Sequence, residues 1–143
     1  MAEIKLMVSI LPVNGRGEVL LQQRDHAPGI LYPGHWTIFG GAVEEDETTD
    51  EAIRRELLEE LELDLPVRHW HTYTCPVRSI PDKLDVVVRV YVANTDRTVE
   101  SLTLHEGQAM GYFDREGASG LTIGFEKAPI VQKFFDDLEG GRI

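Results

Sequence analysis

An α/β domain built on a mixed sheet is what the sequence predicts. Three observations carry that expectation: β-branched runs before and between helical segments, two segments with apolar residues at helical spacing, and glycine or proline at the joints. Ile4 to Val13 is apolar and partly β-branched, Asn14-Gly15-Arg16-Gly17 is a turn signal, and Glu18 to Gln23 carries Val19-Leu20-Leu21. The stretch reads as a hairpin with Arg24 at its far end. Asp25 to His35 holds two glycines and two prolines and reads as a loop, followed by a strand fragment from Trp36 to Phe39 that leads into Gly40-Gly41. A helix comes next. Thr48 or Thr49 can cap it, Asp50 and Glu51 suit its first turn, and Ile53, Leu57 and Leu61 form an apolar line. Pro66 stops it. Val67 to Cys75 and Leu84 to Ala93 read as strands, the second through Val86-Val87-Val88. Asn94 to Leu104 is a polar connection and Gln108 to Phe113 a short strand. Ala128 to Leu138 is a second helix, with Ile130, Val131, Phe134 and Leu138 at helical spacing and Gly140-Gly141 at its end.

With 143 residues, 42% of them hydrophobic, residues 1–143 are expected to form one domain with its own core. No apolar stretch approaches the roughly 18 residues of a membrane span, and Met1 to Ile10 lacks the parts of a signal peptide, so the expected location is cytoplasmic, away from membranes. The lone Cys75 excludes an internal disulfide and a cysteine-based zinc site, and its place in a strand suits a buried, inert thiol. A formal charge of −11 opposes binding to polymeric nucleic acid. A small anionic substrate remains compatible, provided a divalent metal offsets the repulsion.

The first helix can recruit such a metal. At 100° per residue, Glu59 lies about 60° to one side of Glu56 and Glu60 about 40° to the other, a fan of roughly 100°. Like charges this close destabilise a helix unless a cation sits among them, and hard oxygen donors suit Mg²⁺ or Mn²⁺. An acidic helix alone is usually a solvated face. What sets this one apart is its register with Gly41, Glu47 and Arg55: six specified positions, at roughly 5 to 7% background frequency each, recur by chance about once in 10⁷ starts.

The order Gly41, five residues, Glu47, seven residues, Arg55-Glu56-Leu57, one residue, Glu59-Glu60 resembles the signature of the Nudix hydrolases. The resemblance implies a loop-helix-loop motif within an α/β/α sandwich, and cleavage of the diphosphate bond of a nucleoside diphosphate linked to another group. It places Glu56, Glu59 and Glu60 on divalent metal, the Gly40 carbonyl on a backbone ligand position, and Arg55, held by Glu47, where it orients a metal-binding glutamate. Glu18-Val19-Leu20-Leu21-Gln22-Gln23-Arg24 is similar to the second strand of MutT-type members, which puts Arg24 on substrate phosphate. His105-Glu106-Gly107-Gln108 is similar to a later loop, which makes Glu106 either a metal ligand or the general base. The implied reaction is metal-assisted attack of water on one phosphorus of a small nucleotide. A nucleotide-binding domain without catalysis is the alternative.

Two residues depart from the family pattern: Glu62 stands where a glycine is usual, and Phe39 where a proline is usual. Glu62 must either accept a left-handed backbone or let the helix run on toward Leu65. The marks of ADP-ribose, dinucleoside polyphosphate and coenzyme A subclasses are absent, and Lys127 stands where MutT-type members read guanine with asparagine. The expected substrate class is therefore a nucleoside triphosphate or a nucleotide sugar. His69 and His71 alternate on a strand, where a shared face would suit zinc but ordinary strand packing needs no ligand. His35-Trp36 offers base stacking or core packing. Tyr32, Tyr73, Arg78, Lys83 and Arg89 are further possible substrate contacts.

Overall fold

The computed structural model describes residues 4–76, 85–105, 107–125 and 127–143. Arg78, Lys83, Glu106 and the Cys75 side chain, all singled out above, lie outside what is described. Seven strands make one mixed sheet: β1 (Ile4–Val13), β2 (Val19–Gln23), β3 (Trp36–Thr37), β4 (Phe39–Ala42), β5 (Arg68–Pro76), β6 (Asp85–Asn94) and β7 (Ala109–Phe113). Among the described residues the helices are α1 (Thr49–Leu61), the short α2 (Arg115–Ser119) and α3 (Ala128–Glu139), with a 3-10 turn at Val99–Ser101 inside the polar connection.

β1 is the centre of the sheet. It pairs in parallel with β6 along its whole length, from Ile4 opposite Asp85 to Val13 opposite Asn94. On its other edge Met7 to Ile10 face Ala42 to Phe39 of β4, antiparallel. This corrects the simple hairpin. The turn forms, with the Asn14 side-chain oxygen accepting from the backbone N–H groups of Arg16 and Glu18 at 3.0 Å each. β2, however, meets β1 in register only at Val13 and Val19, and spends its length against β7. The reason is competition for one edge, since β4 occupies it from Met7 to Ile10.

Alternation along the strands divides the core in two. Val8 and Ile10 of β1 and Tyr91 and Ala93 of β6 face Ile53, Leu57 and Leu61 of α1. Leu11 and Val13, with Val86, Val88, Val90 and Val92, face Ile130, Val131, Phe134 and Phe135 of α3. Val86 and Val88 of the valine run lie on the α3 side and Val87 is half-buried on the other, where Tyr91 and Ala93 further along β6 meet α1, which gives the α/β/α layering. Trp70 Nε1 of β5 donates to Asp137 of α3 at 2.9 Å and fastens the outer helix to the sheet.

Thr48, rather than Thr49, caps α1, in a reciprocal box with Glu51: the Glu51 N–H reaches the Thr48 hydroxyl at 3.1 Å and the Thr48 N–H reaches the Glu51 carboxylate at 2.9 Å. At the other end Glu62 takes the left-handed conformation, φ 53° and ψ 36°. Leu63 donates back to the Leu57 carbonyl at 3.3 Å and buries its side chain among the α1 core residues. That burial decides between the two courses open to Glu62, and the helix stops instead of running on to Leu65. The strain is about 1 kcal/mol relative to glycine.

Two further differences from the sequence reading have local causes. A β-bulge between His69 and His71 shifts the register, so His69 stacks edge-on to Tyr91 on the α1 face while His71 lies against Trp70 and Tyr73 on the α3 face. The two histidines share no face. α2 is too short to show a periodicity, although its cap was readable, since Asp114 accepts from the Gly117 N–H at 2.7 Å.

Candidate functional site

The site is assembled where β4, the loop from Val43 to Glu47 and α1 meet. β4 is locked to β1 by its register, Gly40 opposite Ser9 and Gly41 opposite Val8. Each glycine is required for a different contact. A side chain at Gly40 would run into the Val8 carbonyl, and one at Gly41 would occupy the space of the Glu56 carboxylate. The missing Cβ atoms therefore let the strand lie flat on β1 and let the helix carboxylate come down onto its backbone.

Arg55 is the hub. Its Nε and Nη2 grip Glu47 through both carboxylate oxygens, at 2.7 and 2.9 Å. Nη2 also donates to the Ala42 carbonyl at 3.1 Å, and Nη1 donates to Glu56 at 3.0 Å and to Glu59 at 3.2 Å. A planar fork with five donors suits this arrangement, and a flexible ammonium does not. Glu47 itself is set by the loop, since it accepts from the Glu44 N–H at 3.0 Å. Arg55 and that backbone N–H together bring the Glu47 carboxyl down to about 2, and Glu47 in turn pushes Arg55 above the ordinary arginine range.

The three helix carboxylates do not lie equally. Glu56 and Glu60 are buried, at 9% and 3% exposure, toward the sheet, whereas Glu59 is exposed and joined to Glu56 through the shared Nη1. The expected fan is thus split into two inward carboxylates and one outward. Among the described residues no three imidazole, thiol or carboxylate groups gather around a single point. Mutual repulsion opposes such gathering, and a guanidinium already draws two of the three together. The donor set still suits a hard divalent cation: carboxylate oxygens only, two of them largely withdrawn from water, with a glycine backbone beside them.

Other residues named from the sequence have partners of their own. Arg24 follows β2, with Nε donating to the Leu31 carbonyl at 2.7 Å and its guanidinium 4.8 Å from the centre of the Phe125 ring. Tyr32 packs on the same Phe125 ring, 4.6 Å centre to centre. Trp36 stands edge-on to Phe113 at 5.0 Å and belongs to the core on the α3 side. Tyr73 accepts from Lys127 Nζ at 2.5 Å, and that nitrogen is also 3.4 Å from Ser9 Oγ, so Lys127 reaches across the sheet from the start of α3. Arg89 lies on β6 with its guanidinium carbon 6.0 Å from the centre of the Tyr91 ring.

Three features at the site were missed by sequence reasoning. The Ala42 carbonyl has no sequence mark at all. Glu44, 3.7 Å from Arg55, stands in an acidic loop where nothing distinguishes it from its neighbours. The third is a contact between His105 and Glu62 at 2.8 Å, for which the unusual residue at position 62 was the available signal.

A family model described as NUDIX domain matches residues 4–134. Among solved structures, a mutT/nudix family protein from Listeria innocua is 21% identical, with a TM-score of 0.79 over 99% of this chain and 98% of that one. The E. coli dihydroneopterin triphosphate pyrophosphohydrolase is 20% identical, with a TM-score of 0.75 over 94% of this chain and 99% of that one. The NUDIX domain of Shewanella oneidensis NrtR, solved in complex with ADP ribose, is 18% identical, with a TM-score of 0.75 over 96% and 90% of the two chains.

Proposed function

The chain belongs to the Nudix family, and from that premise we propose that it is a MutT-like phosphohydrolase that uses Mg²⁺ or Mn²⁺ to hydrolyse a diphosphate bond in a small nucleotide. The observation that carries the reading is the Arg55 hub, one guanidinium gripped through both oxygens of Glu47 and donating to Glu56 and Glu59. Such a fork fixes carboxylate rotamers, which is what ligands need in order to meet an ion in a defined geometry.

Glu56, Glu59, Glu60 and the Gly40 carbonyl are the groups proposed to hold the metal. A bound divalent cation would neutralise phosphate charge and lower the pKa of the attacking water. The protein's own part is positioning and proton transfer. Arg55 holds Glu56 and Glu59 in place, Arg24 is the proposed contact to substrate phosphate, and Glu106 is proposed either to complete the ligand set or to accept the proton of the attacking water. The products are a nucleoside monophosphate and a phosphorylated leaving group or pyrophosphate.

For substrate we propose a nucleoside triphosphate or a nucleotide sugar. Purified protein with Mg²⁺ is to be screened against deoxynucleoside and ribonucleoside triphosphates, nucleotide sugars, ADP-ribose and dihydroneopterin triphosphate, with identification of products. Metal-dependent release from at least one triphosphate or nucleotide sugar is expected. Glu60→Gln and Glu59→Gln should each lower kcat by at least about 100-fold, several kcal/mol of transition-state stabilisation, with unfolding still cooperative. Full activity in both variants would sink the metal assignment. Tight binding without turnover across the panel would instead favour the non-catalytic nucleotide-binding reading.

A further inference from the structure

We infer that Glu62 and His105 form a positioning pair that ties the end of α1 to the segment entering β7, and that turnover depends on this tie. The inference rests on the hydrolase reading above and assigns a task to two residues outside its proposed ligand set.

The observations begin with a mismatch. Glu62 sits at φ 53°, a conformation that disfavours any residue with a Cβ. Its return is a contact with His105 Nε2 at 2.8 Å, between side chains that are 59% and 48% exposed. A pair so open to water contributes little to folding, so it does not offset the backbone strain. A glycine at position 62 would serve the fold better. What the glutamate adds is a location: its carboxylate can only accept, so the imidazole donates from Nε2, and the ring is held over the helix end.

Neighbouring contacts point the same way. The His105 N–H donates to the Glu60 carbonyl at 3.0 Å, so backbone and side chain of His105 both grip the last turn of α1, the turn that carries Glu59 and Glu60. Two residues later the chain is gripped again. Gly107 has φ 82°, and a Cβ there would press on the Gln23 carbonyl; the Gln108 N–H donates to that same carbonyl at 2.9 Å, and the Gln108 side chain donates to the Arg24 carbonyl at 3.0 Å. His105 is therefore tied to the helix that carries Glu59 and Glu60, and Gly107 and Gln108 to the strand leading to Arg24. Two parts of the proposed site, on α1 and after β2, are thus gripped by residues close in sequence.

Glu62→Gly separates the two roles. It removes the strain and the tie together, so the expected result is an equal or higher Tm with kcat lowered about tenfold and KM changed less than twofold. His105→Ala should lower kcat similarly, and the double variant should be no worse than either single one, since both lose the same contact. Glu62→Gln keeps an acceptor for Nε2 and should hold kcat within about twofold of the wild type. Amide exchange in the peptide spanning residues 102–108 gives a readout independent of activity. It should speed up in Glu62→Gly and His105→Ala and not in Glu62→Gln. Unchanged kcat in Glu62→Gly, with or without faster exchange, would overturn the inference, as would an additive double variant. A wild-type protein that hydrolyses nothing on the nucleotide panel overturns the hydrolase reading first, and is told apart because the exchange arm still reports the tie.

Discussion

Arg55 shows how much one side chain can organise when every donor has a fixed direction. It touches Glu47, Glu56, Glu59 and the Ala42 carbonyl at once. Arg55→Lys offers a single rotating ammonium in place of the fork and should lower kcat about 100-fold with a smaller change in KM, a split that steady-state kinetics would expose. Equal kcat in Arg55→Lys would mean that charge alone suffices. The Glu47 carboxyl supplies a prediction in pH. Its folded-state value of about 2 lies below its ordinary 4.5, so its stabilisation is fully present above pH 4.5 and is lost as pH falls toward 2. The Tm advantage of the wild type over Glu47→Gln should therefore be greatest near neutrality and vanish across that window. A constant difference from pH 6 to pH 2 would contradict the pairing. At this scale the sequence was informative about which side chains meet when they stand in fixed register, as with Glu47 and Arg55. It was silent on Ala42, whose part is played by a carbonyl that every residue possesses.

Among the elements, α1 was the most legible, because its capping residues and its apolar line agree, whereas its stop at Glu62, ahead of Pro66, was settled by the burial of Leu63. Thr48→Ala should cost about 1 kcal/mol through the lost box, and Leu57→Ala, at a site 1% exposed, about 3 kcal/mol through the cavity it leaves. Denaturant unfolding measures both. A cost for Leu57→Ala below that of Thr48→Ala would show that the α1 core relaxes more freely than its burial implies. The strands were found as segments but not as partners. Val19-Leu20-Leu21 announces a strand, yet nothing in those residues states that β7, about 90 residues later, is its main neighbour. The bulge in β5 escaped for a related reason. Alternation assumes an even pleat, and one extra residue between His69 and His71 turns two residues of the same parity to opposite faces.

At the scale of the molecule, the two apolar clusters and the layered order follow from strands whose alternate residues are apolar on both sides, and the sequence made this readable through Val86-Val87-Val88 and the two helical lines. Among the described residues no helix is long and apolar enough to cross a membrane. Charge is the other global property. At −11 the protein repels the anionic substrate proposed for it, and that repulsion reaches about 30 Å in 10 mM salt but only about 8 Å at physiological ionic strength. KM for a nucleotide, measured at constant free Mg²⁺, should therefore fall about twofold over that range of salt. A KM that rises with salt would show that local positive charge at the site governs capture.

The parallel pairing of β1 with β6 also sets a clock on synthesis. Ile4 cannot meet Asp85 until the intervening chain has been made, which at about 5 to 20 residues per second takes roughly 4 to 16 seconds. Through that interval β1, β4 and α1 can already associate, but the far edge of β1 and the valines destined to cover it are apart. The first half of the chain therefore leaves the ribosome with the middle strand of its sheet as a temporary edge, open to neighbouring nascent chains until residue 94 arrives to close it.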